Sequence, residues 1–278
     1  MAFDTQITDL VGGTIDQTAC DQWAADACKE IINVLPAKLK AKCATATELD
    51  DSPLVMDLDT DGTTDGSVGE ILFVTRLSAN SGGYQIPCRE IPSMYGGLAE
   101  DSSDLNYFGT VTDPVYWTDG NNSDAVTLYV KPTLTSAQKA YVHHISYPSV
   151  SVADVSVIAN FPDEAEYLVV LYTAIRQLLQ YQNTMTTSWN SEITQALNNA
   201  KDVINNNQPS STTDAYGALN NEDIDIMSAA LSLASQQFGE AGARLQQDSA
   251  KYQWYGDQYT KLSAEYARGL AALKGGGA

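Results

Sequence analysis

The sequence predicts an α+β protein: a helical bundle with a very long C-terminal helix and an inserted antiparallel β domain. Residues 221–273 carry an apolar residue at every seventh position, the pattern of a helix packed lengthwise on other helices. Short strand-forming runs separated by turn sequences fill residues 51–148, as in an antiparallel sandwich or barrel. Helical patterns on both sides of this region place it as an insertion.

The first fifty residues are predicted to form an N-terminal arm and the first bundle helix. Residues 1–15 contain a partial apolar alternation and are interpreted as a short strand or arm. A helix is expected over 16–42, with Asp16 or Thr18 as its N-cap and Pro36 as its end or kink. Its tail holds the only basic cluster in the sequence, Lys38, Lys40 and Lys42. These lysines either complement the helix C-terminus or form a docking point.

Residues 51–148 are predicted to form the inserted β domain. Strand signals recur at Ile71–Leu77, Tyr84–Ile91, Tyr107–Val111, Val115–Thr118, Val126–Val130 and Tyr141–Ser146. The polar loop over 118–122 joins two of these runs and predicts a hairpin. Six short strands with regular turns indicate a small antiparallel sandwich or barrel.

The C-terminal half is predicted to be helical apart from one linker. Bundle helices are expected over 149–207, and Pro162 followed by two acidic residues is a favourable helix start. A second helix in this stretch is expected from about Ser188 to Asn205. Residues 208–220 are a polar linker with little to bury, and residues 221–278 form the long helix and a glycine tail.

The long helix carries two apolar rows three residues apart. The first row is Ile224, Leu231, Phe238, Leu245, Tyr252, Tyr259, Tyr266 and Leu273. The second row is Met227, Ala234, Ala241, Tyr255 and Leu262, with breaks at Asp248 and Gly269. At about 1.5 Å per residue, some fifty residues make a rod roughly 75–80 Å long. Such a rod must lie along a multi-helix bundle or reach a neighbouring subunit, which points toward assembly.

Aromatic residues cluster on the last third of this rod. Because aromatic side chains dominate the binding energy of protein interfaces, we predict an intersubunit contact there. The predicted contact residues are Tyr252, Trp254, Tyr255, Tyr259, Leu262, Tyr266, Leu270 and Leu273. The alternative is that these side chains only pack within the bundle.

The composition is strongly acidic, which limits the classes of partner. The chain has 15 basic and 35 acidic residues among 278, a formal net charge of −20. Binding to nucleic acid or to an anionic membrane relies on Lys and Arg, so neither is an expected partner. The acidic surplus is interpreted as solvated surface, and it would also suit a wall along which DNA passes without binding.

No targeting or membrane segment is predicted. No apolar run approaches the roughly 18–20 residues of a transmembrane helix, and the start MAFDTQITDL lacks the basic region of a signal peptide. Cys20 and Cys28 would lie about 12 Å apart on a helix, too far for a disulfide. With Cys43 and Cys88 they are predicted to be reduced and mostly buried, as in a protein made in the cytoplasm.

One acidic stretch resembles a calcium-binding loop. Asp57, Asp59, Asp61, Gly62 and Asp65 occupy the positions of such a loop. Position 12, however, is Val68 instead of a bidentate glutamate, and a strand is expected to follow. We interpret the stretch as an acidic turn and keep calcium binding as the alternative.

No catalytic residue, metal site or cofactor is predicted. His143 and His144, the only histidines, would point to opposite faces of a strand, one exposed and one on a sheet face. They are therefore not expected to share a metal. No HExxH, GxSxG, Walker A or GxGxxG motif occurs, and no two of the acidic residues stand out as a glycosidase pair. The sequence predicts a protein that is not an enzyme.

Two stretches resemble structural proteins of marine tailed phages. The first is the helix from Asp21-Gln22-Trp23 to Pro36, and the second is IANFPDEAEYLVVLY over residues 158–172. The plan of a helical bundle, an inserted β domain and a terminal helix is also similar to head-to-tail adaptor (connector) proteins. It covers nearly the whole chain, but the motifs are structural, so no functional residue is carried over.

The resemblance implies a virion protein at the head–tail junction that forms a ring, commonly twelve-fold. Its expected partners are the portal protein, the tail tube or nozzle protein and other copies of the chain, while DNA passes through without specific binding. The terminal helix would dock on the portal or a neighbouring adaptor, and the β domain would face the tail. The alternatives are a tail or baseplate component and a tail-borne glycan-acting enzyme.

Overall fold

The computed structural model describes residues 1–49, 54–57, 68–78, 84–120, 125–135, 138–153, 156–205 and 214–275. The helices are α1 (Phe3–Val11), α2 (Gln17–Val34), α3 (Ala37–Lys40), α4 (Asp163–Ile204), α5 (Ala215–Asn220) and α6 (Ile224–Gly275). The strands are β1 (Ala44–Leu49), β2 (Leu54–Asp57), β3 (Val68–Leu77), β4 (Gln85–Pro87), β5 (Arg89–Glu90), β6 (Val115–Gly120), β7 (Ala125–Lys131) and β8 (Ala140–Ser146). The predicted α+β class, with its antiparallel sheet and long C-terminal helix, is confirmed.

The chain divides into two compact units. Unit 1 comprises Met1–Gln6, Asp16–Thr173 and Tyr266–Ala278, and unit 2 comprises Ile7–Ile15 and Ala174–Glu265. Unit 1 holds the β domain, whereas unit 2 holds most of the two long helices. Among the helices described, none is sufficiently long and apolar to cross a membrane.

The β domain in unit 1 is a sandwich of two four-stranded sheets. One sheet has the order β1-β8-β3-β4 and is antiparallel throughout. The other has the order β2-β7-β6-β5, in which only the short β5–β6 pair is parallel. Both sheets contribute side chains to one buried core, formed by Leu49, Val74, Cys88, Tyr116, Leu128, Val130, Leu134, Ala140 and Val142. Of the two predicted forms, the sandwich is therefore the one observed.

Two of the predicted strands differ from the structure. The run Tyr84–Ile91 splits at Cys88 into β4 and β5, which belong to different sheets. The run Tyr107–Val111 is irregular, because the carboxylate of Asp104 accepts hydrogen bonds from the backbone N–H of Asn106 and Tyr107, each at 2.8 Å. Such side-chain bonds compete with strand pairing.

The two N-terminal strands were not predicted. β1 precedes the predicted start of the β domain at residue 51 and pairs along its whole length with β8. The predicted hairpin is confirmed, since β6 and β7 pair in register from Val115–Lys131 to Gly120–Val126. A strand does follow the acidic stretch, as predicted, but it begins at Val68, three residues before the predicted start at Ile71. The acidic stretch over 58–67 lies outside the described residues.

The N-terminal segment is a helix, so the predicted strand or arm is wrong. Phe3, Ile7 and Val11 recur every four residues and are all buried, which is helical spacing. The next helix begins as predicted: the carboxylate of Asp16 accepts a hydrogen bond from the Ala19 N–H at 3.2 Å. It ends before Pro36, and α3 follows.

The two helices predicted after Pro162 form one helix of 42 residues, α4. The polar, threonine-rich stretch between them does not break it. The hydroxyls of Thr184, Thr186 and Thr187 donate hydrogen bonds to the carbonyls four residues earlier, at 2.9, 2.9 and 3.2 Å. These side chains therefore satisfy their polar groups without leaving the helix.

The predicted linker over 208–220 contains a short helix. The buried Asp214 accepts a hydrogen bond from the Gly217 N–H at 2.7 Å and caps α5. This cap stabilises a helix start in an otherwise polar segment. Residues 206–213 lie outside the described part of the chain.

Candidate assembly interface

In unit 2, α4 and α6 pack side by side as an antiparallel helical hairpin. The rings of Tyr181 and Tyr255 stack with centroids 5.2 Å apart, and those of Trp189 and Tyr252 meet at 5.3 Å. Later positions on α4 thus meet earlier positions on α6, as antiparallel packing requires. We call residues 174–204 and 224–265 the helical hairpin.

Small side chains fill the seam of the hairpin. Ala200 of α4 is fully buried, and Ala230 and Ala234 of α6 are also buried. Further along α6, Leu262 is 2 % exposed. The second apolar row of the sequence, which includes Ala234 and Leu262, therefore faces the partner helix within the chain.

The first half of the other apolar row is left uncovered. Ile224, Leu231, Phe238 and Leu245 are 69, 46, 46 and 43 % exposed. We call these four residues the apolar ridge. Heptad spacing keeps them on one side of α6. Leu197 and Ile204 of α4 are 52 and 37 % exposed, and helical spacing places them on the same side of the hairpin. Exposed apolar residues in such numbers make this side of the hairpin a candidate interaction surface.

Two clefts open between α4 and α6, and the first of them includes Leu245 of the ridge in its lining. The first, of about 320 Å³, has Ile193, Ala196 and Ala241 among its apolar lining. Its charged lining consists of Glu192, Glu240, Arg244 and Asp248. The second, of about 420 Å³, is lined by Asp202, Val203, Asp214, Ile226, Ala229, Ala230 and Leu233.

Some polar atoms of the first cleft's lining residues are unsatisfied. The indole nitrogen Nε1 of Trp189 and the amide oxygen Oε1 of Gln237 are buried, and neither has a hydrogen-bond partner in the described part of the chain. Buried polar groups are normally paired. These two atoms are exceptions to that rule within the described residues.

Four of the predicted interface residues pack within unit 2. Tyr252 and Tyr255 contact rings of α4, and Leu262 is buried. Trp254 meets Tyr255 edge to face at 5.3 Å and lies over Gly12, where an added Cβ would come within 2.9 Å of the indole. Tyr252 and Trp254 are nevertheless 37 and 41 % exposed, and the role of the four residues between subunits stays a prediction. Tyr259 is half-buried.

The remaining predicted interface residues lie in unit 1. The ring of Tyr266 is tilted against Tyr172 at 5.7 Å, and its hydroxyl donates a hydrogen bond to Glu30 at 3.2 Å. Burial raises the pKa of Tyr266, and the Glu30 carboxylate adds to the increase. Leu270 and Leu273 are half-buried. An intersubunit contact for these three residues is also still a prediction.

The sequence analysis did not single out the exposed apolar residues in the first half of the long helix. The aromatic cluster drew attention to the last third, yet the uncovered ridge occupies the first half. The available signal was the four large aliphatic and aromatic residues at heptad spacing, Ile224, Leu231, Phe238 and Leu245. Their exposure depends on which row meets α4, which the heptad pattern alone does not specify.

The basic cluster is largely paired inside unit 1. The ammonium of Lys40 lies 2.6 Å from the carboxylate of Glu70, and that of Lys42 lies 2.8 Å from Glu164. The hydrogen bond with Glu164 raises the pKa of Lys42, and the same bond lowers the pKa of Glu164. Two of the three lysines are thus engaged with neighbouring acids, which weakens the docking interpretation.

The two histidines do not form a joint site. His144 is buried, and its Nε2 lies 2.9 Å from the hydroxyl of Thr47. His143 stacks on Phe73 at 4.2 Å and is half-buried, where the prediction had one exposed histidine. Within the described residues, no group of three or more metal-ligating side chains comes together.

The four cysteines are free and buried, as predicted. Burial raises the pKa of Cys20, Cys28 and Cys88 to about 12, and that of Cys43 to about 11. Because the thiolate is the reactive form, these residues are poor nucleophiles at neutral pH.

A scan against protein-family models finds no match for this chain, and a search of curated proteins also finds none.

Proposed function

We propose that this protein is a virion structural subunit that forms a ring as a head-to-tail adaptor between the portal and the tail of a tailed phage. It acts by assembly and has no catalytic role. The observation that carries the proposal is the apolar ridge on the helical hairpin. A long helix that leaves a heptad row uncovered is built to be completed by another molecule.

The ridge offers a useful amount of binding energy. Fully burying one large apolar side chain contributes about 1.5–3 kcal/mol, and the four ridge residues are 43–69 % exposed. Their combined contribution is therefore on the order of 3–6 kcal/mol. That is enough to drive assembly when each subunit makes several contacts, but not enough to hold two dilute copies together.

The acidic surface supports the same proposal. With a net charge of −20, a ring of this chain would repel the phosphate backbone of DNA and let it slide. The plan of a helical bundle, an inserted β domain and a terminal helix, which resembles that of head-to-tail adaptors, supports a position at the head–tail junction. Its proposed partners are the portal, the tail tube or nozzle, and other copies of the chain.

The proposal is tested by native mass spectrometry and negative-stain imaging, with and without a cognate portal ring. We expect either a ring-shaped oligomer or stoichiometric addition of chains to the portal. A stable monomer that does not bind the portal would contradict the proposal. Rings that form without affinity for the portal would instead favour a tail or baseplate component.

A matched pair of variants links the result to the ridge. Phe238→Asp places a charge in the ridge, whereas Leu105→Asp places one at a leucine that is 98 % exposed in the β domain. We expect Phe238→Asp to abolish assembly and Leu105→Asp to leave it unchanged. Equal effects from the two variants would show that assembly does not depend on the ridge.

A further inference from the structure

We propose that two copies of this chain pair antiparallel about a two-fold axis through the ridge side of α6. The large side chains of each copy lie against small residues of the other. The inference goes beyond the proposed function, because the pair is a state of the free chain and needs no portal. A ring built from such pairs contains an even number of chains.

The ridge side of α6 carries two rows of residues with the same period of seven. The first row is the apolar ridge. The second, which we call the small row, lies four residues later and consists of Ser228, Ser235, Gly242 and Ser249. Residues four apart are neighbours on one face of a helix. The first three members of the small row are exposed, and Ser249 is half-buried. The face therefore has a line of protruding side chains beside a line of shallow positions.

The glycine in the small row has no steric cause within the chain. A Cβ added at Gly242 would meet no atom within 4 Å, whereas one added at Gly269 would collide with Leu168. Glycine in a helix interior is less favourable than alanine, so the neighbour of Gly269 explains that glycine, while Gly242 has no such neighbour. Close approach of another helix would explain it.

The two rows of one copy fit the two rows of another. A two-fold axis makes the contact isologous, so that residue i meets residue j and j meets i. An antiparallel register centred between Gln236 and Gln237 pairs every ridge residue with a small one: Ile224 with Ser249, Leu231 with Gly242, Phe238 with Ser235 and Leu245 with Ser228. A shift of seven residues leaves one ridge residue without a small partner. A parallel pair would set large residues against large ones.

This fit favours a second copy as the partner. A helix that packs here must carry large and small residues with the same period of seven and the same offset of four. Because α6 has both rows on one face, an identical helix satisfies the ridge and the small row together. Side chains of one helix that enter gaps in the other form knobs-into-holes packing.

The distribution of charge permits this approach. Two chains of net charge −20 repel each other, and like charges brought together across a contact oppose binding. Between Ile224 and Tyr252, neither the ridge nor the small row contains a charged residue; the charges lie at Asp225, Glu240, Arg244, Asp248 and Lys251. On α4, helical spacing places Lys201 near Leu197 on the ridge side, whereas Asp202 lines the second cleft.

The contact area indicates a weak pair. The face from Ile224 to Ser249 is about 38 Å long and one helix about 10 Å wide, so it covers roughly 380 Å² per copy. A stable complex usually buries about 800 Å² per partner. Leu197 and Ile204 of α4 add to the area without doubling it. We therefore expect free chains to exchange between monomer and pair, and covalent capture is the suitable measurement.

Cysteine cross-linking of the free full-length chain tests the register. Ser235→Cys and Ser228→Cys are a matched pair, because both are exposed serines of the small row. In the proposed register, the two copies of position 235 are offset by about 4.5 Å along the helix, and those of position 228 by about 26 Å. Each variant is treated at high protein concentration with a short bifunctional maleimide. The buried native cysteines serve as an unreactive background.

We expect at least about tenfold more dimer from Ser235→Cys than from Ser228→Cys, since pairing raises the effective concentration only where the positions meet. Ser228→Cys mixed with Leu245→Cys should also cross-link. Equal yields from the two serine variants would overturn the inference in favour of parallel or random contact, and absence of dimer from both would also overturn it. Rings formed by chains that do not cross-link would leave the adaptor function standing.

An exchange of large and small residues provides an independent test. Gly242→Leu fills the position that receives Leu231, and open space around Gly242 lets the single chain accept it. In the Ser235→Cys background, we expect Gly242→Leu to reduce cross-linking by at least about tenfold. The double change Leu231→Ala and Gly242→Leu should restore it. Circular dichroism checks that the variants are folded, and undiminished cross-linking of folded Gly242→Leu would overturn the register.

Discussion

The β-sandwich buries large apolar residues in its core, whereas the helical hairpin leaves several of similar size exposed. In the sandwich, Leu128, Val130 and Val142 are fully buried between the two sheets. In the hairpin, residues of similar size, such as Leu231 and Phe238, are nearly half exposed. Because burial of apolar area is the main stabilising contribution to folding, the sandwich core is complete in a single chain. The hairpin would reach comparable burial only in the proposed assembly.

The largest expected effect comes from a matched leucine pair. Leu128→Ala removes a fully buried side chain and should lower the free energy of unfolding by about 2–5 kcal/mol. Leu231→Ala removes a half-exposed one and should lower it by less than about 1 kcal/mol. Denaturant unfolding of the two variants measures both. Equal losses would mean that the hairpin is packed as fully as the sandwich.

Two glycines of α6, Gly269 and Gly242, should respond to replacement by alanine with stability changes of opposite sign. Gly269→Ala drives a methyl group into Leu168 and should destabilise the chain by about 1–3 kcal/mol. Gly242→Ala meets open space and should stabilise it by about 0.5–1 kcal/mol through helix propensity. Thermal unfolding monitored by circular dichroism compares them. Destabilisation by Gly242→Ala in the monomer would show a contact within the chain at that position.

The sandwich should also respond to pH through His143. Burial, with a smaller contribution from His144, lowers the pKa of His143 below its ordinary value of 6.5. The unfolded chain therefore binds this proton more readily, so stability is fully present above pH 6.5 and falls as the pH drops below it. Chemical denaturation at pH 7.5 and pH 5.5 measures the loss. The His143→Asn variant should lose less unfolding free energy between the two pH values. An equal loss would assign the pH dependence to other groups.

The smallest expected effect is the loss of stability on removing an ion pair at the rim of the first cleft. Arg244 and Glu240 form an exposed ion pair of 2.6 Å one turn apart on α6. Glu240→Gln should lower stability by only about 0.3–0.5 kcal/mol, and salt should reduce the difference. Unfolding at low and high ionic strength checks this. A loss above about 1 kcal/mol would show that the pair is better shielded from solvent than its exposure indicates.

The sequence was most informative where one pattern had one interpretation. The heptad repeat predicted α6, and the polar turn between two apolar runs predicted the β6–β7 hairpin. Elsewhere local patterns competed. Phe3, Ile7 and Val11 form a helix where partial alternation favoured a strand, and threonine side chains keep α4 continuous where polar residues favoured a break.

The candidate interface could be predicted only in part. Both rows of α6 are apolar, so periodicity located the rod but not its free side. That side is set by α4, whose Ala200 and Trp189 decide which row of α6 is buried. These are contacts between residues more than thirty positions apart in the chain, and no local pattern records them.

The order of pairing in the first sheet has a consequence for how quickly the chain folds. The hydroxyl of Thr47 in β1 meets His144 in β8 across 97 positions of sequence, so this pairing must close a long loop. The helical hairpin closes over the much shorter stretch between Ile204 and Ile224. Non-local pairing slows folding, and we expect the hairpin to form first although it is synthesised last. In a stopped-flow refolding experiment, the fluorescence of Trp189 and Trp254 in the hairpin should therefore change before that of Trp117 in the sandwich.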